Sequence, residues 1–409
     1  MSAADLDLDL VRERAVLGAK WYANTQVIGG KPYWDANHGR YVYTYHIPTK
    51  DRVLGLSWTQ GRGNFAVFAC YELTGDEDLL TTARRATEYV KVLQILDQRE
   101  PRLFGVIREE SPNAVHMYPR DAMEAGLGLL FQYRLTGERD CLERAELFAR
   151  CLMEHYLDDE GWIVGDVSLH PDYEPRRRHK HISCIGGGVN LFYYLAKATG
   201  NDEYIERAFN PMAHCLMREF VDEQGIHVSH AARHHTGPGA GEGKVPLLND
   251  DGNGITHITA ARLLDNQEYL DRAVNYGDWL MAQDYPTPIY SAVPIRMLTL
   301  VELSEATGDG KYRDFAAGLV PTLLEWQVVG SDDPAVEGAF RGEDEGGPAY
   351  GHPEATPLDF VCNRMTSYSV LALLKVTGDV VGPYYSGLNW ETPRQPVPPT
   401  GGLPPVVAF

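Results

Sequence analysis

The chain has 409 residues, with 37 Lys and Arg against 57 Asp and Glu, so its formal charge is −20 with histidine neutral. A composition of 44% hydrophobic and 23% charged residues supports a substantial buried core and excludes disorder as a global description. An acidic field of this size repels polyphosphates and anionic bilayers, which sets aside nucleic acid and membrane as partners and, more weakly, polyanionic substrates.

The first nine residues are acidic and lack both a basic segment and an apolar run, so they are not a secretory signal. No stretch approaches the roughly 20 apolar residues of a membrane span, and a cytoplasmic location is expected. Six cysteines (Cys70, Cys141, Cys151, Cys184, Cys215 and Cys362) are scattered without a CxxC pair. They read as reduced, buried small hydrophobes.

Residues 6–22 are amphipathic, and a repeated unit follows. A helix-period apolar run stops at a Thr-Gly-type sequence, an acidic or amide residue caps the next turn, and a second, amphipathic run begins. The unit occupies residues 65–90, 127–152, 189–216, 255–280 and 295–324, and a sixth first member lies at 363–378. First members such as FAVFACYEL are apolar almost all round and belong inside, whereas second members such as TTARRATEYV keep a charged outer face. The 6–22 segment supplies the outer partner that the sixth inner helix lacks. The predicted fold is therefore all-α: an (α/α)6 toroid over 1–382, with a proline-rich extended tail at 383–409. That tail is expected to strap the barrel or a neighbouring subunit; the oligomeric state is left open, a homodimer included.

Inner-to-outer turns are a few residues long, but the returns at 96–120, 157–184, 221–254 and 328–360 are long and emerge at one end. Long connections of this kind usually carry function, so the site is expected where the inner helices begin, near Trp58, Arg120, Cys184, Gly254, Ser291 and Asp359. The first start offers Trp58, Arg62 and Asn64, an aromatic face for a sugar ring with a guanidinium and an amide for its hydroxyls. The second offers His116, Tyr118, Arg120 and Asp121. Asp121 complements a helix dipole as a cap would, and beside Arg120 it also suits hydroxyl binding or base catalysis. The third carries His181 after a basic run at 176–178, with three glycines that match no nucleotide-binding pattern. The fourth presents Asp250 and Asp251, paired carboxylates of the kind glycoside hydrolysis needs, in what is equally a solvated turn. The fifth offers Tyr290 and Arg296, and the sixth Asp359, Asn363, Arg364 and Tyr368 behind an acidic, lid-like segment at 341–347. His227, His230, His234 and His235 cluster in one loop, but without HExxH or a thiolate partner they read as solvated; no metal and no cofactor are expected.

These residues resemble the six-hairpin (α/α)6 superfamily of glycan-active enzymes, over about residues 10–378. Gln60-Gly61-Arg62 leading into FAVFACYELTGDEDLL resembles the first inner helix of the N-acylglucosamine and cellobiose 2-epimerases, where an arginine at this place contacts sugar. Gly61-Arg62-Gly63-Asn64 is similar to the RGN motif of unsaturated glucuronyl and rhamnogalacturonyl hydrolases, and Arg120-Asp121 to the Arg-Asp of glucoamylase-like and trehalase-like barrels. The resemblance implies a small oligosaccharide substrate. Hydrolysis would draw on Asp121 with Asp250 or Asp251, a uronate lyase on His116, Tyr118, His181 and Arg62, and an epimerase on two histidines; hydrolysis is the favoured expectation.

Overall fold

The computed structural model describes residues 6–29, 36–170, 182–219, 254–343 and 350–380. In chain order these form α1 (Leu8–Thr25), β1 (Val42–His46), β2 (Arg52–Leu54), α2 (Ser57–Thr74), α3 (Glu77–Leu93), β3 (His116–Met117), α4 (Pro119–Thr136), α5 (Arg139–His155) and β4 (Val167–Ser168). There follow α6 (Ile182–Thr199), α7 (Asn210–Arg218), α8 (Gly254–Leu264), α9 (Gln267–Met281), α10 (Ala292–Thr307), α11 (Gly310–Gly318), α12 (Val320–Trp326), β5 (Phe360–Cys362) and α13 (Asn363–Thr377).

The hairpins follow from local chemistry. At the end of α2, Gly75 takes a left-handed φ of 69°, and Gly137, Gly200 and Gly308 repeat it at 72°, 70° and 73°. Before each glycine a threonine hydroxyl donates to the carbonyl four residues back and accepts from the amide two residues on, as at Thr74 (2.7 and 3.2 Å) and Thr307 (2.8 and 3.2 Å). Asp76 and Asp309 then accept from the first-turn amides of α3 and α11. The fourth hairpin has no glycine; Asp265 takes the left-handed turn at φ 48°, which Asp tolerates better than most residues.

Burial sorts the two classes of helix. Every residue of α2 from Ser57 to Tyr71 is buried, as is every residue of α13 from Asn363 to Val376. By contrast α3 buries one stripe, including Leu79, Leu80, Ala83, Ala86, Tyr89, Val90 and Leu93. The inner helices α2, α4, α6, α8, α10 and α13 pack each on the next, and α13 returns to α2, so the ring is closed. α1 packs on α13 from outside and is tied there by Tyr22 Oη donating to the Asn363 carbonyl at 2.8 Å. The tightest joint lies between α2 and α4, where a Cβ added to Gly61 would fall 2.0 Å from the Glu124 carbonyl oxygen. All six cysteines are buried and form no disulfide. Among the described residues no helix is long and apolar enough to cross a membrane.

Five inner helices begin within two residues of the expected positions. The sixth begins at Asn363 instead of Asp359. Thr356 and Asp359 cap each other around a 3-10 turn at Pro357–Asp359, and the chain then runs as β5 before α13 starts. The small strands are a further departure from the all-helical expectation: β2, β1 and β5 form one antiparallel sheet, and β3 pairs with β4. β3 and β5 run directly into α4 and α13, so this non-helical layer sits at the end where the inner helices begin. The 383–409 tail lies outside the described residues, as does the acidic segment from 344 to 347.

Candidate active site

The starts of α2 and α4 carry a chain of alternating charges. Arg62, fully buried, donates from Nε to Glu124 Oε2 at 2.9 Å and from Nη2 to Glu124 Oε1. Arg120 Nη2 lies 3.2 Å from the same Glu124 oxygen, and its Nη1 donates to Asp121 Oδ1 at 3.1 Å. One carboxylate therefore joins two guanidiniums, a bidentate arrangement only arginine provides. Arg62 also lies over the Tyr368 ring at 4.4 Å and the Phe65 ring at 5.3 Å, which lowers the cost of a buried cation.

The chain continues to a residue the sequence did not single out. Glu109, 2% exposed, lies in the connection between α3 and α4, and its backbone carbonyl accepts from the amide of Ser57, the first residue of α2, at 2.6 Å. Burial and the adjacent, hydrogen-bonded Asp121 carboxylate raise the Glu109 pKa well above the usual range; the Tyr118 amide and Arg120 oppose this more weakly. Two carboxyl groups in contact do not both ionise readily. Glu109 Oε2 accepts from the Tyr118 amide at 3.3 Å while Oε1 meets no donor. The side chains of Arg120 and Asp121 keep 16% of their surface accessible, whereas those of Arg62 and Glu124 keep 0% and 2%. Asp121 is thus the accessible end of the pair and Glu109 the sealed end.

Aromatic side chains flank this chain. Arg120 lies over the Trp58 ring at 5.8 Å, Tyr43 meets Trp58 edge-on at 5.5 Å, and Tyr350 meets Tyr43 at 6.2 Å. At the neighbouring start of α13, Arg364 lies over Tyr290 and Tyr368 at 6.0 and 5.9 Å. Tyr290 and Ser291 both hold positive φ, 51° and 54°, a local strain of the kind that collects at functional sites. His116 and Tyr118 stand together at the rim, ring centroids 5.1 Å apart, with Tyr118 43% exposed.

The structure thus gathers Trp58, Arg62, Arg120 and Asp121, with His116 and Tyr118 beside them and Arg364 at the adjoining start of α13, on the same Tyr368 ring as Arg62. Asn64 has a scaffold role instead: its oxygen accepts from Tyr41 Oη at 2.7 Å and its nitrogen donates to the Ala83 carbonyl and Thr87 Oγ1 on α3. Asn363 is fully buried and donates to the Thr59 carbonyl at 3.2 Å. Arg296 turns to the outer layer, donating to the carbonyls of Leu280 and Gln283, and Asp359 is held by Thr356. His181, Asp250, Asp251 and the 227–235 histidines lie outside the described residues. Glu109 lacked a sequence signal because nothing in its loop is periodic or motif-like; Glu124 had one, being four residues after Arg120 on the same helix.

No family model and no curated protein matches the sequence. Solved structures do resemble it. A sugar epimerase from a ruminal bacterium is 12% identical, with a TM-score of 0.67, 92% of this chain covered and 100% of that one. Unsaturated glucuronyl hydrolase from Bacillus sp. GL1 is 19% identical, with a TM-score of 0.63 over 89% and 96% of the two chains. An inactive variant of a Salegentibacter α-1,6-mannanase, in complex with α-1,6-mannotriose, is 14% identical, with a TM-score of 0.61 over 91% and 100%. The closed ring of inner helices, its outer layer and these likenesses agree: the chain has the six-hairpin (α/α)6-barrel fold shared by these carbohydrate-active enzymes.

Proposed function

We propose that the protein is a glycoside hydrolase acting on short oligosaccharides, with Asp121 as the carboxyl group that exchanges a proton with the scissile oxygen. The observation that carries this reading is the Glu109–Asp121 pair. Burial and the neighbouring Asp121 raise the Glu109 pKa, and the Asp121 side chain is the accessible end of the pair, so a proton held by Glu109 can pass through Asp121 to a bound substrate. General acid catalysis near neutral pH requires such a raised carboxyl. Glu109 does not reach substrate and acts through Asp121, so it is a positioning residue. Two-carboxylate hydrolysis places its groups roughly 5 to 9.5 Å apart, farther than a hydrogen-bonded pair. The opposing carboxylate in this proposal is therefore Asp250 or Asp251. The Trp58 ring backs the Arg120 guanidinium, and Arg120 and Arg364 offer donors for hydroxyls. Buried thiols without a disulfide suit a reducing compartment, which supports a cytoplasmic enzyme that finishes small imported glycans.

The test is an oligosaccharide panel scored for new reducing ends, for absorbance of a new double bond and for epimer formation, with wild type, Asp121→Asn and His181→Ala. New reducing ends lost about 100-fold or more only in Asp121→Asn are the expected result. Epimer or unsaturated product, lost only in His181→Ala, overturns hydrolysis in favour of epimerisation or lyase chemistry.

A further inference from the structure

A second group of side chains lies beside the site, on the β1–β2 hairpin and the segment that follows residue 349. His46 ends β1, 7% exposed, and its ring stacks on that of His352 with centroids 3.7 Å apart and planes tilted by 21°. His352 Nε2 lies 3.3 Å from Asp51 Oδ2. Thr49 Oγ1 lies 2.8 Å from His46 Nδ1 and donates to Asp51 Oδ2 at 2.6 Å, so one hydroxyl orients both groups. One ring nitrogen of each histidine and one Asp51 oxygen all lie within 4.8 Å of one another. Phe360 packs behind His46 at 4.8 Å. In front is a pocket walled by Pro48, Gly351, Pro353 and Glu354.

We propose that His46, His352 and Asp51 form a binding site for a divalent first-row transition cation, with zinc as the fitting ion. Two imidazoles and a carboxylate are its preferred donors, and three protein ligands leave a position open to the pocket for water. Thr49 is the outer partner that fixes ring orientation, as such sites require. Donors at zinc's bond lengths of 2.0–2.2 Å sit about 3.4 Å apart in a tetrahedron. The donors already lie within 4.8 Å of one another, so no gap in the triad closes by more than about 1.4 Å as the rings open from their stack. The parts that move are the free ones: the Asp51 side chain is 68% exposed in its turn, while β1 holds His46 between β2 and β5. The ion would tie the His352 segment to the hairpin. Tyr350, two residues earlier, is the ring that backs Tyr43 and Trp58, so the tie would hold the aromatic wall of the site in place.

The experiment uses the full chain, freed of metal by a chelator and titrated with Zn²⁺ by calorimetry and with Co²⁺ by visible absorption, beside His352→Ala and Asp51→Asn. Histidines elsewhere in the chain are common to all three proteins, so the readout is a difference. The expected result is one more equivalent of Zn²⁺ in wild type than in His352→Ala, binding at that site weakened about 10-fold or more in Asp51→Asn, and low-symmetry Co²⁺ bands that His352→Ala abolishes. Equal stoichiometry and affinity in wild type and His352→Ala, with both folded by circular dichroism, overturns the proposal. The outcome is independent of which sugar chemistry the ring performs.

Discussion

Glu124→Gln isolates the electrostatics at the centre of the ring while preserving side-chain volume. The substitution removes the carboxylate that pairs with fully buried Arg62 and that Arg62 and Arg120 share. Arg120 keeps Asp121 as a partner, whereas Arg62 meets a neutral amide oxygen in place of the Glu124 carboxylate. Breaking a buried ion pair on one side costs about 3–5 kcal/mol, and the Tyr368 face against the guanidinium offsets part of that, leaving about 3 kcal/mol. For a chain of 409 residues, an unfolding entropy of about 2.1 cal/mol/K per residue gives roughly 0.9 kcal/mol per kelvin, so Tm falls by about 3–4 °C. Differential scanning calorimetry reads that shift directly. The control is Glu88→Gln: the Glu88 side chain is 66% exposed and its partner Lys91 keeps Asp140, so the loss costs less than about 0.5 kcal/mol. Replacing Arg62 and Glu124 together by leucine restores most of the stability, because an apolar pair needs no compensation. A Glu124→Gln midpoint within about 1 °C of wild type would falsify the claim that this carboxylate neutralises a buried cation.

Glu109→Gln tests the carboxyl pair through pH. Its folded pKa is raised above the unfolded value of about 4.3, so wild-type stability declines as pH rises from the unfolded pKa to the folded one, by up to about 1.4 kcal/mol per pH unit. The Gln variant lacks that slope: its Tm relative to wild type should climb above about pH 4.3, and parallel curves refute the assignment. Its activity should also fall about 100-fold. Gly61→Ala drives a methyl into the Glu124 carbonyl; a loss of about 3 kcal/mol or more is expected in denaturant titration, and a loss under about 1 kcal/mol means the α2–α4 joint is looser than described. At the opposite end of the ring, Glu302 is buried between Arg262 and Lys375. Lys375→Met should cost about 3 kcal/mol, and adding Glu302→Gln should recover much of it; strictly additive losses in the cycle contradict the coupling.

The parts of this fold that the sequence carried are those with a local cause. Helix period, Thr-Gly stops and acidic caps are written within a few residues of each other, so five inner starts and the four Thr-Gly hairpin turns were readable. The strands were not, because β3 and β4 are two residues long and β5 is three, too short to show a period, and β5 finds its partner more than 300 residues away. The site divides along the same line. Trp58, Arg120 and Asp121 stood out because residue type and helix start coincide. Glu109 takes its place from contacts between the loop before α4 and the starts of α2 and α4, and the His46–His352 pair from segments about 300 residues apart that ring closure brings together. Asn64 was misplaced because adjacency to Arg62 in sequence says nothing about direction. Two positions along a helix turn the side chain by roughly 200°, which points Asn64 at α3 while Arg62 meets α4.

The seam between α1 and α13 imposes an order of events on the growing chain. α1 emerges first, and Val11, Ala15, Trp21 and Tyr22 on it are buried in the finished protein. Yet its main partner, α13, is the last inner helix to be made. At about 5–20 residues per second, ribosomal synthesis separates the two by tens of seconds. During that interval the nascent arc is an open solenoid with two unsatisfied edges, α1 with α2 at one end and the newest hairpin at the other. Adjacent hairpins can settle as they appear, but the Trp21–Ala335, Tyr22–Asn363 and Arg12–Asp379 contacts wait for the final turn. Premature release of the chain therefore exposes an apolar seam at both ends of the arc, and those ends are complementary to each other in a neighbouring copy.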